Sequence, residues 1–371
     1  MRREHRFYGE SQPAAPFDTA RLSLLTAPQA LADAARFLLW IRRQHNCSGE
    51  PDQPGPRCRV ITVGGSYPGW LSAMMRLRYP NIVHAAYAAS APMRFYSQEV
   101  GQFDYYQVVT ASAARASPTC PDAVRAALAA TLASGATKDA IVAGANLCTP
   151  LPAYLDAGDA ALLAEELNMV FMYSWANLNM ANYPPTSATG LAAACRQIEG
   201  SATPWAAISG FLSGYGAAAR RGAAPEAPRS GAPCYNLSNQ LPSGSFATIS
   251  SGDWSGVGSG DNGASWDFET CSLLVEAIGV NNKTDMFVPR EWTLDWLVAH
   301  CAKRFNVAPQ PRELAELWGF DSTRLADVAT RIVFTNGLND GWSAGGILTN
   351  LSDSLLVSFS SATEPPAARR G

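Results

Sequence analysis

Two side chains in this sequence have the type and setting for nucleophilic chemistry: a serine in a glycine-tight turn and an aspartate just beyond a strand. Between Arg59 and Gly69 the chain reads RVITVGGSYPG. Its apolar start is expected to form a short buried strand, with Ser66 at the bend and a helix from Trp70 to Tyr79. A serine hydroxyl is a weak nucleophile until the backbone lifts it clear of its neighbours, which a sharp strand-to-helix turn flanked by small residues does. The same turn aims the following amide at the reacting oxygen, so the backbone N–H of Tyr67 is a candidate oxyanion donor. Acyl transfer is the chemistry such a turn serves. The match to G-x-S-x-G is incomplete, because Pro68 takes the place of the second glycine while Gly64 and Gly69 remain. Proline lacks an N–H but suits the first turn of a helix, where that donor would be unpaired in any case. A plain strand–helix turn that happens to contain a serine is the competing reading of these residues taken alone.

The second side chain is Asp340. Arg331 to Gly337 reads as a β-branched strand running into the loop Leu338 to Ser343. An acid placed just after a parallel strand sits at the carboxyl edge of the sheet, where α/β sites are built, and Ser66 is expected on that same edge.

These residues need a parallel sheet to hold them. From Pro28 to Arg43, the apolar residues Ala30, Leu31, Ala34, Ala35, Leu38 and Leu39 recur at helical spacing, predicting a helix with one buried face. Ile82 to Ala91 reads as a further strand ending at Pro92. Together with the Ser66 strand and helix it makes a βαβ unit, which argues for an α/β fold with a mostly parallel sheet and flanking helices. Residues 103–194 turn alanine-rich and helical, with helices predicted over Cys120–Leu132 and Leu162–Tyr173 and a turn at Ala181 to Pro185. A Gly/Ser-rich loop is expected at 217–261, and a helix over Glu291–Phe305. The division that follows is an incomplete α/β domain at 1–95 and 325–371, interrupted by a mostly helical insertion at 96–324.

Composition narrows the class of partner. The 371 residues carry 28 basic against 31 acidic side chains, with no basic block to suit nucleic acid. The apolar segment Ala30 to Ile41 is too short to span a bilayer, so no membrane is expected. The eight cysteines occur singly, without a C-x-x-C pair or a Cys/His cluster, so disulfides are expected and a metal is not. Their pairing stays open. Sequons at Asn46, Asn236, Asn282 and Asn350 are glycosylation candidates and, with the cysteines, point to an oxidising secretory compartment. Met1 to His5 has no apolar signal segment behind it, so the chain is expected to lack its natural beginning.

Several stretches carry a resemblance: REHRFYGES from Arg3, GGSYPGWLSAMMRLRYPNIVHAAYAASAP from Gly64, the Asn182-Tyr183-Pro184 turn, WDFETC from Trp266, and TNGLNDGWS from Thr335. In these the chain resembles the serine exopeptidase family of lysosomal Pro-X carboxypeptidase, dipeptidyl peptidase II and thymus-specific serine protease. The resemblance implies an α/β-hydrolase fold with a largely helical insertion, peptide substrates cleaved next to proline, no cofactor, and a lysosomal, vacuolar or extracellular location. A homodimer is compatible with it. It makes Ser66 the nucleophile and Asp340 the acid that orients a histidine. It also places Trp70, Met286 and Trp342 around the residue before the scissile bond, ordinary core packing being the other reading of those three.

The departures from the family are specific. Gly341 stands where a proline is usual, and no histidine follows Asp340, although the order Ser, acid, His requires one there. The four histidines are His5, His45, His84 and His300. The front of the chain also starts after the first strands and the loop supplying a second oxyanion donor. The expectation is therefore an exopeptidase that is inactive or impaired as this chain. A non-catalytic, peptide-binding pseudoenzyme is the alternative, and an esterase on the same fold is a third reading. Carboxypeptidase and dipeptidyl peptidase specificity are not distinguished by these residues.

Overall fold

A computed structural model of the chain describes residues 4–11, 19–47, 58–216, 234–237 and 263–360. The Gly/Ser-rich loop expected at 217–261 lies outside these, apart from 234–237. Four strands, β1 (Ile61–Gly65), β2 (Ala85–Ala89), β3 (Ile332–Gly337) and β4 (Leu355–Ser360), form one parallel sheet in that spatial order. The register pairs Gly65 with Ala89, Ala89 with Thr335, and Thr335 with Ser358, so the strand ends meet along one edge.

The described helices of eight residues or more are α1 (Ala27–Gln44), α2 (Tyr67–Arg78), α3 (Asp104–Ala116), α4 (Cys120–Thr131), α5 (Ala160–Met180), α6 (Gly190–Glu199), α7 (Pro204–Phe211), α8 (Gly263–Thr270) and α9 (Leu294–Phe305). All from α3 onward lie in the chain between β2 and β3. We propose that this helical segment is an insertion into the α/β unit, with bounds near 96 and 324. α2 packs across β1 and β2, burying Trp70, Ala73 and Met74 against the sheet. One continuous core joins the sheet residues Ala88, Ile332 and Phe334 to the helical residues Phe171, Trp175 and Phe211.

Two expectations need correction. The Ser66 strand is not buried: Ile61 is 62% and Val63 73% exposed, because β1 is an edge strand and α2 covers only its other face. The strand β4 was not foreseen. Its apolar residues follow the segment Gly345 to Ser354, whose opening Gly345-Gly346 pair is not itself a strand signal, and pairing with β3 organises them.

Four disulfides close the open question of pairing: Cys47–Cys58, Cys120–Cys195, Cys148–Cys234 and Cys271–Cys301. The last joins the end of α8 to α9 within a second small core of Phe7, Leu22, Leu25, Phe268 and Phe305. There His300 Nε2 lies 3.1 Å and Arg304 Nε 2.6 Å from the buried Asp267 carboxylate. Asp267, Cys271 and His300 cluster within 4.8 Å, but the sulfur is tied in its disulfide and the carboxylate is ion-paired.

Arg76 on α2 is the principal polar tie between helix and sheet. Its buried guanidinium donates to the carbonyls of Pro80, Val83 and Thr330 and to the Thr330 hydroxyl, at 2.7–3.0 Å. Those contacts hold the approaches to both β2 and β3. Arg76→Ala strands buried carbonyls and is expected to cost about 2–4 kcal/mol. Urea unfolding checks this, and a loss below about 0.5 kcal/mol would refute the tie.

Candidate active site

The Ser66 turn is tighter than its motif alone requires. Ser66 takes φ 59° and ψ −135°, a conformation that L-residues adopt only when the surroundings enforce it. Its N–H donates to Ala89 O at 2.9 Å, and its carbonyl accepts from Gly69 and Trp70 in the first turn of α2. A Cβ on Gly64 would lie 2.0 Å from Pro68 O, and one on Gly69 would lie 2.7 Å from Ala89 O. Both positions therefore exclude side chains. Tyr67 is the first residue of α2, where helix geometry supplies no internal acceptor for its N–H.

Asp340 follows β3 on the same edge. Two interstrand spacings of about 4.8 Å put the ends of β1 and β3 about 10 Å apart. Ser90, just beyond β2, donates its N–H to Thr335 O at 2.7 Å, and its hydroxyl hydrogen-bonds the Asp340 carboxylate. Trp342 N–H donates to Asp340 Oδ1 at 3.1 Å. Burial pushes the Asp340 pKa up, and these two donors pull it back.

The helical part clamps this loop. Asn179, buried near the end of α5, donates to Asn339 O at 2.6 Å and accepts from Gly341 N–H at 2.8 Å. Ser112 on α3 donates to the same Asn339 carbonyl at 2.7 Å. Neither residue was singled out from sequence, and the only local signal is that Asn179 precedes the Asn182-Tyr183-Pro184 turn.

A cavity of about 1210 Å³ opens beside the turn, with Ser66, Tyr67, Trp342, Tyr105, Glu276 and Trp266 in its wall. It also runs along β1, so the exposed Ile61 and Val63 line it. Trp342 stands edge-on to Tyr105 at 4.9 Å and to Phe95 at 5.5 Å. Trp70 and Met286 are fully buried in the core and are not part of that wall. Trp70 stacks on Tyr67 at 6.2 Å and Trp318 at 6.0 Å, which consumes its faces, while Met286 N–H bonds to Thr110 on α3.

A sequence profile described as serine carboxypeptidase S28 matches residues 1–362. The chain belongs to this family. It is 29% identical over 367 residues to a lysosomal Pro-X carboxypeptidase of Pongo abelii and 28% identical to that of Homo sapiens, covering 95% of this chain in each case. A Caenorhabditis elegans protein named prolyl carboxy peptidase like protein 5 is 38% identical over 113 residues, 30% of this chain and 21% of its own. The chain spans 66% of the length of each of the two Pro-X carboxypeptidases.

Within this member of the S28 family, the histidines are engaged in distinct places. His84 Nδ1 meets Arg331 at 3.3 Å, His300 meets Asp267, and His45 ends α1. His5 lines the cavity, with Nε2 3.2 Å from the Tyr67 hydroxyl. That hydroxyl donates to Glu269 Oε1 at 2.9 Å, and the Tyr8 hydroxyl donates to Oε2. The REHRFYGES and WDFETC stretches thus meet beneath the residue after Ser66. Burial pushes the Glu269 carboxyl from 4.5 up to about 7, against the pull of the two tyrosines. Of the sequons, Asn46, Asn282 and Asn350 are exposed and Asn236 is half-buried.

Three outcomes follow from this geometry. Gly64→Ala forces Pro68 away and is expected to lower stability by at least about 2 kcal/mol, whereas the same change at Gly65, where a Cβ would meet Ala89 only at 3.8 Å, would move it far less. Asn179→Ala unties both sides of the Asp340 loop and is expected to cost about 1–3 kcal/mol in urea unfolding. Between pH 4.5 and about 7 the unfolded chain has released the Glu269 proton and the folded chain keeps it, so stability falls as pH rises through that window and is undiminished below it. Glu269→Gln retains an acceptor without ionising, and its unfolding midpoint is expected to be flatter over the same range. An equally steep profile would remove Glu269 as the cause.

Proposed function

We propose that this chain is a serine-type exopeptidase that cleaves peptides next to proline through an acyl-enzyme. The observation that carries the reading is the strained Ser66 at the rim of the sheet, on the same edge as Asp340 and open to a cavity walled by Trp342. Ser66 Oγ attacks the scissile carbonyl, the Tyr67 N–H meets the developing oxyanion, and Asp340 orients an imidazole that takes the serine proton. The flat aromatic wall at Trp342 and Tyr105 suits a proline ring. The lysosomal Pro-X carboxypeptidases similar to this chain support the substrate class, and four disulfides support a secretory or lysosomal setting with glycans on the exposed sequons. Among the described residues no helix is long and apolar enough to cross a membrane.

Within these 371 residues no histidine follows Asp340, so the triad's base is the member they do not supply in that order. Turnover by these 371 residues alone is therefore impaired, by roughly the thousandfold or more that loss of a triad member costs. Chemical rescue tests the reading. Added imidazole is expected to enter the gap between Ser66 and Asp340 and to raise hydrolysis of an alanyl-prolyl nitroanilide saturably. The gain should vanish in Ser66→Ala. If imidazole gives no gain and a fluorophosphonate probe fails to label Ser66, the chain is a non-catalytic peptide binder instead.

A further inference from the structure

The cavity wall contains a carboxyl group that the proposed hydrolysis does not use. Glu276 faces the same space as Ser66 and Trp342, with Oε1 accepting from the Tyr96 hydroxyl at 3.2 Å. Tyr96 stands edge-on to Trp70 at 5.5 Å, and Trp70 stacks on Tyr67. Glu276 is thus two rings away from the residue after the nucleophile. Among the described residues its Oε2 has no hydrogen-bond or ion partner. The arginine of this wall, Arg290, is committed elsewhere: its Nε pairs with Glu165 at 3.2 Å and its guanidinium lies 4.4 Å over the Trp296 ring. Desolvation pushes the Glu276 carboxyl up to about 8, with only the Tyr96 hydrogen bond opposing.

A carboxyl in a largely aromatic and apolar wall, held on one oxygen and, among the described residues, with the wall's arginine engaged by Glu165 and Trp296, is complementary to a cation brought by a ligand. An ammonium placed there gains a charge-assisted hydrogen bond in a partly dry site, and the neighbouring Tyr105 and Tyr106 rings add cation–π attraction. Glu276, Tyr105 and Ser66 line one cavity, so an amine held at Glu276 and a scissile carbonyl at Ser66 fit within one short peptide. We propose that Glu276 anchors a protonated amine of the peptide substrate. This rests on the hydrolase reading for the role of Ser66, but binding of the amine does not need turnover. Two sources carry this chemistry, the α-ammonium of a free amino terminus and the side-chain ammonium of lysine. The first would make the cavity one that measures from the amino end.

The test is equilibrium binding to the full chain, followed by the indole emission of the wall residues Trp266, Trp292 and Trp342. Alanyl-prolinamide is expected to bind at least about tenfold more tightly than its N-acetyl form, a difference of about 1.4 kcal/mol. Glu276→Gln, which keeps an acceptor for Tyr96, and Glu276→Ala should each abolish the difference, and either suffices if the other does not fold. Glu276→Asp should retain it. N-acetyl-lysyl-prolinamide separates the sources: binding as tight as alanyl-prolinamide assigns the site to a side-chain ammonium, and weak binding assigns it to the α-amine. Equal affinity for the amine and its acetyl form, survival of the preference in both neutral variants, or no measurable binding of any of the peptides overturns the proposal. Labelling of Ser66 by a fluorophosphonate in a chain that shows no amine preference would leave the hydrolase reading standing and remove only the amine site.

Discussion

The close backbone approach around Ser66 is the constraint on which the remaining geometry depends. Pro68 O occupies the space beside Gly64, and Ala89 O occupies the space beside Gly69, so the turn has room for hydrogen atoms only. The Ser66 N–H bonded to Ala89 O and the Ser90 N–H bonded to Thr335 O tie the turn to β2 and β2 to β3. The unfavourable φ at Ser66 is held by those bonds and by the buried face of α2. A looser connection would let the serine relax into an ordinary helix start, with its hydroxyl turned toward the backbone as a cap. Ser66 makes no side-chain cap bond here.

The other half of the site comes from the helical part of the chain. Asn179 and Ser112 grip the peptide groups on either side of Asp340, and Tyr105 fills the space against Gly341 that a side chain would otherwise need. The sheet thus sets where Asp340 begins, while the helices set how its loop turns. The Glu269 cluster does the same beneath Tyr67, joining α8 and the segment around His5 and Tyr8 to the start of α2. Burying a carboxyl is costly, and two tyrosine hydroxyls offset part of that cost. The result is a site assembled from segments far apart in sequence and fixed by short polar contacts between them.

Membership of the serine carboxypeptidase S28 family is consistent with this division of labour. A parallel sheet presents its strand ends on one rim, and whatever packs over that rim shapes the cavity without altering the sheet. In this chain Tyr105 from α3, Trp342 from the turn after β3, and Glu276 from the segment between α8 and α9 share one wall with Ser66. The rim holds Ser66 and Asp340, and the covering layer shapes the cavity beside them.

The βαβ unit, the strand before Asp340, and helices α1, α4 and α9 were legible in the sequence because their signals are local: apolar spacing, glycine and proline punctuation, and a serine between small residues. Helix α5 was also evident, although it runs seven residues past its expected end, from Tyr173 to Met180. The edge position of β1 was not legible, since Ile61 and Val63 read alike in a buried strand and in one lining a cavity. Nor was β4, which exists through its pairing with β3. Asn179 and Ser112, which support the site, carry no motif, and Glu269 lies in WDFETC without any local sign of the tyrosines it meets, because an amide or a carboxyl acquires its role only from the group folded against it. What the sequence alone determined is the kind of turn that holds Ser66 and the acid that follows β3. Tertiary structure decided what surrounds them, because hydrogen bonds and ring contacts between distant segments depend on distances that no local spacing encodes.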